Sequence, residues 1–207
     1  MRAQIQVISV IMITGILIAL VGAAYFWGAP LIEKRTSITE VTIAESFISE
    51  LNDKIVSIAN TGTGEASLDI PSGLVRIIPN DSIDPDNNSV ILEFIVKQQM
   101  VFPNTVAYLD TNNIEEVAPY GEALPRVITL RGEKSGTGNK LFIKLHYREL
   151  DINLTPVRGY KIALNEGGEI TSGNSKIMIS FDRRDTIPNA AVNGGDLIVT
   201  YIRLIAV

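Results

Sequence analysis

Residues of the types that most often carry chemistry are sparse in this chain of 207 residues. It has one histidine, His146, and no cysteine, which excludes thiol catalysis, disulfide bonds and cysteine-ligated metal sites. His146 alternates with Lys144 and Arg148, so we place all three on the polar face of a strand. No serine elbow accompanies the histidine, and we predict a structural role for it rather than a catalytic one.

An oxygen-rich stretch offers a second kind of chemistry. Asp81, Asp84, Asp86, Asn87 and Asn88 follow one another closely, and carboxylate and amide oxygens are ligands that suit Ca²⁺. The stretch lacks the glycine and the terminal glutamate of an EF-hand loop. We therefore interpret it as a solvated loop and predict no metal site.

Two Gly-Thr-Gly sequences, at 62–64 and 136–138, have the glycine content of phosphate-binding loops. Neither has the remaining glycines or the Lys-Ser/Thr ending of a P-loop, so we interpret both as hairpin turns. Arg183 and Arg184 lie between two aspartates, an arrangement that we interpret as the neutralised end of a strand. From these residues we expect neither an enzyme nor a bound cofactor.

The overall charge also limits the partners. A formal net charge of −5 leaves no electrostatic footprint for nucleic acid, so we predict no nucleic-acid binding. Three Asn-x-Ser/Thr sequences, at Asn80, Asn87 and Asn153, are acceptors for N-linked glycans on an exported protein. Two of them lie in the oxygen-rich stretch and favour a location at the cell surface.

The chain has a long apolar segment near its N-terminus, which determines where the residues after it are located relative to a membrane. Gln4–Trp27 carries no charged side chain, and a helix of that length spans about 36 Å, enough for a hydrocarbon core of about 30 Å. Tyr25, Phe26 and Trp27 close the segment as an interfacial aromatic belt does. It fits an uncleaved membrane anchor, and it also fits a secretory signal that is cut after Ala23.

Small residues form a stripe along this rod. Gly15, Ala19 and Ala23 recur every four residues, with Gly22 beside them. Such a stripe allows another helix to approach closely. We predict helix–helix packing at these four positions.

A second, amphipathic helix is predicted behind the rod. Gly28–Pro30 predicts a kink or a break, because proline removes one helical hydrogen bond and crowds the preceding turn. Apolar residues then recur at spacings of three and four, which predicts a helix over 31–53. The run Lys54–Asn60 predicts a short strand.

Strand patterns fill the remainder, residues 54–207. Lys140–Arg148 alternates most clearly between apolar and polar residues, as a half-buried strand does. Asp196–Ile205 is apolar on both faces, so we expect the amphipathic helix or a neighbouring subunit to cover one of them. Other strands are predicted at 66–70, 74–78, 90–101, 105–109, 126–131, 160–164 and 175–181. The predicted fold is α+β: a long N-terminal hydrophobic helix followed by a mainly antiparallel β-sandwich head, Ig-like or barrel-like.

Arg2-Ala3-Gln4 places a charge and a small residue directly before the apolar rod. Together with the plan of rod and β head, this resembles the class III signal of archaeal type IV pilins and archaellins. The resemblance implies that residues 1–3 are a short leader, which a prepilin-type peptidase removes between Ala3 and Gln4. It also implies that the rod waits in the membrane and then packs with copies of itself in a helical filament.

We therefore expect a structural subunit of an archaeal cell-surface filament, either a type IV pilus or an archaellum-like fibre. The alternative is a membrane-anchored extracellular β-sandwich, which serves as a binding or accessory module of a filament or of the cell-surface layer. The mature N-terminus distinguishes the fates of the rod. It is Gln4 for the filament subunit, Met1 for the plain anchor and a residue near Ala24 for secretion.

Overall fold

A computed structural model describes residues 2–97, 105–111, 113–135, 138–152, 155–171 and 175–207 of the chain. One helix, α1 (Arg2–Thr61), precedes 12 strands in these parts. The helix packs on two sheets of six strands each. The predicted α+β class is therefore confirmed.

Helix α1 is longer and more continuous than the sequence predicts. It runs without interruption from Arg2 to Thr61 and contains Pro30, so the predicted break at 28–30 does not form. The predicted strand over Lys54–Asn60 is also wrong, because these residues are the last turns of α1. Ile55, Ile58 and Ala59 are buried there, and they continue the apolar face of the preceding helix at spacings of three and four.

The first sheet has the strand order β1-β11-β12-β9-β8-β5. Its pairs are antiparallel, except that β12 lies parallel to β9 and β5 lies parallel to β8. The strands are β1 Glu65–Asp69, β5 Val117–Pro119, β8 Glu149–Ile152, β9 Arg158–Asn165, β11 Lys176–Ile187 and β12 Asp196–Ala206.

The second sheet has the order β10-β2-β3-β7-β6-β4, and all its pairs are antiparallel. Its strands are β2 Leu74–Ile78, β3 Ser89–Val96, β4 Val106–Tyr108, β6 Arg126–Ser135, β7 Gly138–Tyr147 and β10 Gly168–Thr171. Residues 98–101, the end of the strand predicted over 90–101, lie outside the described residues.

Several strands confirm the predicted pattern and others depart from it. Strand β7 buries Leu141, Ile143 and Leu145 on one face, as its alternation predicts. Strand β11 continues to Ile187, so Arg183 and Arg184 lie inside a strand, directly after a register shift between Phe181 and Arg183, and not at its end. Strands β5, β8 and β10 have three or four residues each, too few for a periodic signal, and the sequence does not predict them.

The helix and both sheets share one hydrophobic core. The second half of α1 contacts β1, β11 and β12 of the first sheet and β3 and β7 of the second. Its contribution to the core is Val41, Ala44, Phe47, Ile48, Leu51, Ile55, Ile58 and Ala59. The helix is therefore a structural part of the head and not an appendage to it.

One face of the last strand is covered by the helix, as predicted, and the other is covered over part of its length. Ile202 and Leu204 lie in the shared core with the helix. Leu197 and Val199 lie on the opposite face, in a small cluster with Ala191 of the β11–β12 loop. A loop of the same chain therefore covers the first half of the second face, while Ile205 on that face is 39% exposed.

Candidate assembly surface

From Ser9 onward, the N-terminal half of α1 is an apolar rod whose large apolar side chains are exposed. From Val10 to Ile32 its large apolar side chains are between 56% and 82% exposed. They are exposed around the whole circumference, since consecutive residues such as Ile16, Leu17 and Ile18 point about 100° apart. A helix that is apolar all round is normally buried in lipid or protein.

The rod has the dimensions of a membrane-crossing helix. An 18-residue window of α1 has a mean hydropathy of 2.2, and none of that window is buried within the chain. The uncharged stretch continues to Ile32 and ends at Glu33, Lys34 and Arg35. The exposed part from Ser9 to Ile32 spans about 36 Å, which matches a hydrocarbon core of about 30 Å.

The predicted small-residue stripe lies on this exposed surface. Gly15, Ala19, Gly22 and Ala23 fall within about 100° of the helix circumference. A Cβ atom added at Gly15 or at Gly22 would meet no atom within 4 Å. Packing inside the chain therefore does not explain these glycines, and the stripe is free to receive another helix. The Ala3–Gln4 bond lies in the same helix, close to its first residue Arg2.

Buried polar contacts fix the base of the rod in the head. The Tyr147 hydroxyl donates to Asn52 Oδ1 at 3.2 Å, and both side chains are buried. Burial raises the pKa of Tyr147 above its usual range, opposed by the nearby Arg126 and reinforced by Asp53. The hydroxyl therefore remains a donor at every physiological pH. This bond joins the middle of the helix base to the second sheet.

A second set of contacts terminates the helix. Arg184 on β11 donates from Nη2 to the Ala59 carbonyl and from Nε to Thr200 Oγ1 at 3.1 Å. Ala59 carries one of the last carbonyls of α1, which lack partners within the helix. Gly62 follows with φ +69°, a conformation that glycine adopts readily at helix ends. Gly62–Gly64 is therefore a helix cap and not the predicted hairpin turn.

The other glycine-rich sequence joins β6 to β7. Ser135 pairs with Gly138 in the antiparallel register of these strands, which confirms a hairpin connection at this point. Residues 136 and 137 lie outside the described residues.

His146 lies on the outer face of the second sheet beside a cavity of about 280 Å³. Its Nδ1 is 3.2 Å from the Asn87 carbonyl and its Nε2 is 3.1 Å from Glu116 Oε2. Lys144, also on this surface, bonds Asp86 at 2.9 Å. These contacts pair the basic side chains with acceptors from two loops, so they brace the loops against the sheet.

Arg148 does not lie on the polar face of a strand, as the sequence predicts, but is buried. Strand β7 ends at Tyr147, and Arg148 is 1% exposed rather than solvated. Its guanidinium donates to the carbonyls of Asn113 (2.7 Å), Glu115 (3.0 Å) and Leu124 (3.0 Å). Burial lowers the pKa of Arg148, while Asp110 and the two neighbouring glutamates oppose that shift. This residue holds the 113–124 segment onto the sandwich.

The oxygen-rich stretch is only partly a solvated loop, because Asn88 is buried and joins the two sheets. Its Nδ2 donates to the carbonyls of Tyr147 (3.0 Å) and Ile162 (2.8 Å), and its Oδ1 accepts from the Leu164 N–H (2.9 Å). Asn88 also has φ 53°, a left-handed conformation that asparagine tolerates better than most residues. Within the described residues, no three acidic or histidine side chains form a metal-sized group.

The sequons differ in accessibility. Asn80 and Asn87 are half-buried, and Asn153 lies outside the described residues. In the second sequon Ser89 is fully buried, and its hydroxyl donates to the Asp86 carbonyl. A glycan at Asn87 would therefore have to be added before this loop folds. Glycosylation at the three sites remains a prediction.

Comparisons with protein-family models, with curated proteins and with solved structures find no match to this chain.

Proposed function

We propose that this chain is a structural subunit of an archaeal extracellular filament, a type IV pilus or an archaellum-like fibre. Its rod waits in the membrane and then packs with the rods of other copies in the filament core. The heads form the outer sheath. The mechanism is polymerisation, and neither catalysis nor a cofactor takes part.

The observation that carries this proposal is the uncovered apolar rod. Twelve large apolar side chains between Val10 and Trp27 are more than half exposed. At about 25 cal/mol per Å² of apolar surface, transfer of these side chains from water to an apolar environment is strongly favourable. Lipid and a bundle of identical rods are two environments of this kind. Assembly then moves the rod from one to the other.

The rigid junction favours a polymer over a simple tether. A tether works equally well through a flexible linker. Here α1 is uninterrupted from the rod into the core. Asn52 is hydrogen-bonded to the second sheet through Tyr147, and Ala59 is hydrogen-bonded to the first sheet through Arg184. In a polymer such a junction lets the packing of the rods determine the positions of the heads. The accessible stripe of Gly15, Ala19, Gly22 and Ala23 supplies the close contacts.

A membrane-anchored extracellular module is the second candidate, and the same exposed rod supports it. The mean hydropathy of 2.2 over an 18-residue window suffices for a stable single crossing. In this case the head would bind a component of a filament or of the cell-surface layer. The rod would then remain in lipid throughout.

The mature N-terminus separates these functions. We expect mass spectrometry of the native protein to find Gln4 as its first residue, since a prepilin-type peptidase would cut after Ala3. An intact Met1 would favour the plain anchor. A start near Ala24 would remove most of the rod and would contradict both functions.

Electron microscopy of sheared surface material tests assembly directly. We expect fibres that contain this protein, and we expect Gly15→Leu combined with Gly22→Leu to abolish them by holding neighbouring rods apart. Val21→Leu is the matched control, because it adds bulk on the opposite face of the rod and should leave the fibres intact. Protein found solely as a detergent-extracted monomer would contradict the filament proposal.

A further inference from the structure

Two carboxyl groups converge on the outer face of the first sheet. Glu149 and Asp151 lie on the same side of β8, opposite Lys161 and Gly159 of β9. A Cβ atom built at Gly159 would lie 2.8 Å from Glu149 Oε1 and 2.9 Å from Asp151 Oδ1. The two oxygens therefore face the same small space, which stays open because residue 159 is glycine.

The same carboxyl groups hold the β11–β12 loop. Glu149 Oε1 accepts from the Val192 N–H at 2.9 Å, and Asp151 Oδ2 accepts from the Asn193 N–H at 3.2 Å. The Asn193 side chain adds a bond to the Ile152 carbonyl at 3.1 Å. Beneath the loop lies the small apolar cluster around Ala191. This loop, residues 188–195, is thus fastened across the end of β8.

One oxygen of this arrangement lacks a donor. Asp151 is 8% exposed, and its buried Oδ1 has no hydrogen-bond partner among the described residues. A buried carboxylate oxygen without a donor is costly. The Glu149 carboxyl lies beside it, because Glu149 Oε1 and Asp151 Oδ1 are both within 3 Å of the Cβ position at Gly159. A proton on Glu149 would supply the missing donor.

Few charged side chains surround Glu149 and Asp151. Lys161 faces Glu149 across the strand pair and is the cation that favours its ionised form. The loop from Pro188 to Gly195 contains no titratable side chain. Arg158 and Asp196 lie opposite each other at the neighbouring ends of β9 and β12. On the other side of β8, strand β5 places Val117 and Pro119, which do not titrate, beside Glu149 and Asp151. Among the described residues of these elements, Lys161 is therefore the one cation that faces the pair.

We propose that protonated Glu149 donates a hydrogen bond to Asp151, and that this carboxyl pair is a pH-dependent latch that fastens the β11–β12 loop. In the closed latch, protonated Glu149 donates to Asp151 while each residue still accepts one loop N–H. Removal of the proton places two negative charges side by side and loosens the loop. This device belongs to the head and does not depend on the fate of the rod.

The raised pKa of Glu149 determines how the stability of the latch changes with pH. Burial raises its pKa above the ordinary 4.5, and the Asp151 carboxyl raises it further, against the Val192 N–H and Lys161. The folded chain therefore keeps this proton to a higher pH than the unfolded chain does. The latch contributes full stability below about pH 4.5 and loses it as the pH rises through the folded value.

Glu149→Gln tests the latch, since its amide imitates the protonated carboxyl at every pH. We expect the full chain in detergent micelles to melt about 2–4 °C higher than wild type at pH 8 and equally at pH 4. Amide hydrogen exchange at pH 7 should be slower in residues 188–195 of the variant. Glu122→Gln, which neutralises an exposed carboxylate, should leave the melting difference between the two pH values unchanged.

Asp151→Asn is a second variant that keeps the proposal testable. Its amide can donate to Glu149 and accept from Asn193, so the same pH-dependent gain is expected. A melting difference equal at pH 4 and pH 8 would overturn the latch, as would an equal gain in Glu122→Gln. Failure of both isosteric variants to fold would also overturn it, because each reproduces the hydrogen bonds of the protonated pair.

Discussion

At the scale of single residues, Asn88 shows how one amide connects the two sheets. Asn88→Ala would remove three buried hydrogen bonds and leave backbone groups of β9 without partners. We expect a loss of roughly 2–4 kcal/mol in the free energy of unfolding. Urea unfolding of the full chain in detergent, followed by circular dichroism, measures it.

Asn87→Ala is the neighbouring control for this prediction. Asn87 bonds His146 through its backbone carbonyl, which the substitution preserves, so we expect a change within about 0.5 kcal/mol. Equal losses for the two variants would show that Asn88 does not join the sheets energetically.

The Tyr147 hydroxyl should also contribute measurably to stability. Tyr147→Phe would remove the hydroxyl and leave Asn52 Oδ1 buried without its donor, a cost of about 1–2 kcal/mol. Its pKa is raised by burial, so its contribution should stay constant at any pH below the ordinary value of about 10. A double-mutant cycle with Asn52→Ala should give a coupling of about 1 kcal/mol. Strictly additive losses would contradict the bond.

At the scale of elements, the last turns of α1 carry the connection between rod and head. Ile55 is fully buried and Ile43 is 51% exposed on the same helix. We expect Ile55→Ala to cost about 2–4 kcal/mol and Ile43→Ala less than about 0.5 kcal/mol, both measured by urea unfolding. Similar costs would mean that the helix base does not pack in the head as described.

Local sequence patterns predict some of the helices and strands correctly and others wrongly. The rod is a continuous apolar run, and the amphipathic face from Val41 to Leu51 and the alternation of β7 are periodic. All three are local patterns, so each was predictable. The sequence predicts a strand over Lys54–Asn60 wrongly, because a short apolar run fits both periods and its length alone does not decide between them. Here the preceding helix continues, since Ile55 and Ile58 extend the buried face.

The hydrogen bonds that join the elements of the head were not predictable, because the bonded residues are distant in the chain. The bonds of Asn88 join residues 59 to 76 positions apart, and the bond from Arg184 to Ala59 spans 125 positions. The alternation predicts Arg148 on the polar face of β7, although the strand ends one residue earlier. Pairing of strands, rather than any local pattern, brings Glu149 and Asp151 to the loop that they hold.

At the scale of the whole molecule, the rod and the head should respond separately to mutation. Leu17 is exposed in the rod, and no residue of the head covers it. A lysine in the middle of a membrane helix costs about 2.5–3.5 kcal/mol, and a bundle of apolar rods offers it no better partner. We expect Leu17→Lys to reduce membrane insertion and to abolish fibres, while the urea midpoint of the head stays unchanged.

Ile83→Lys is the matched control for this prediction. Ile83 is a fully exposed apolar residue of the head, so the same change of side chain occurs outside the proposed assembly surface. We expect fibres and membrane fractions at wild-type levels, measured by electron microscopy and by fractionation. Fibres of normal yield from Leu17→Lys would show that the rod is not the buried element of a polymer. Loss of fibres from Ile83→Lys would move the assembly contact to the head, because the rod would then be intact but insufficient.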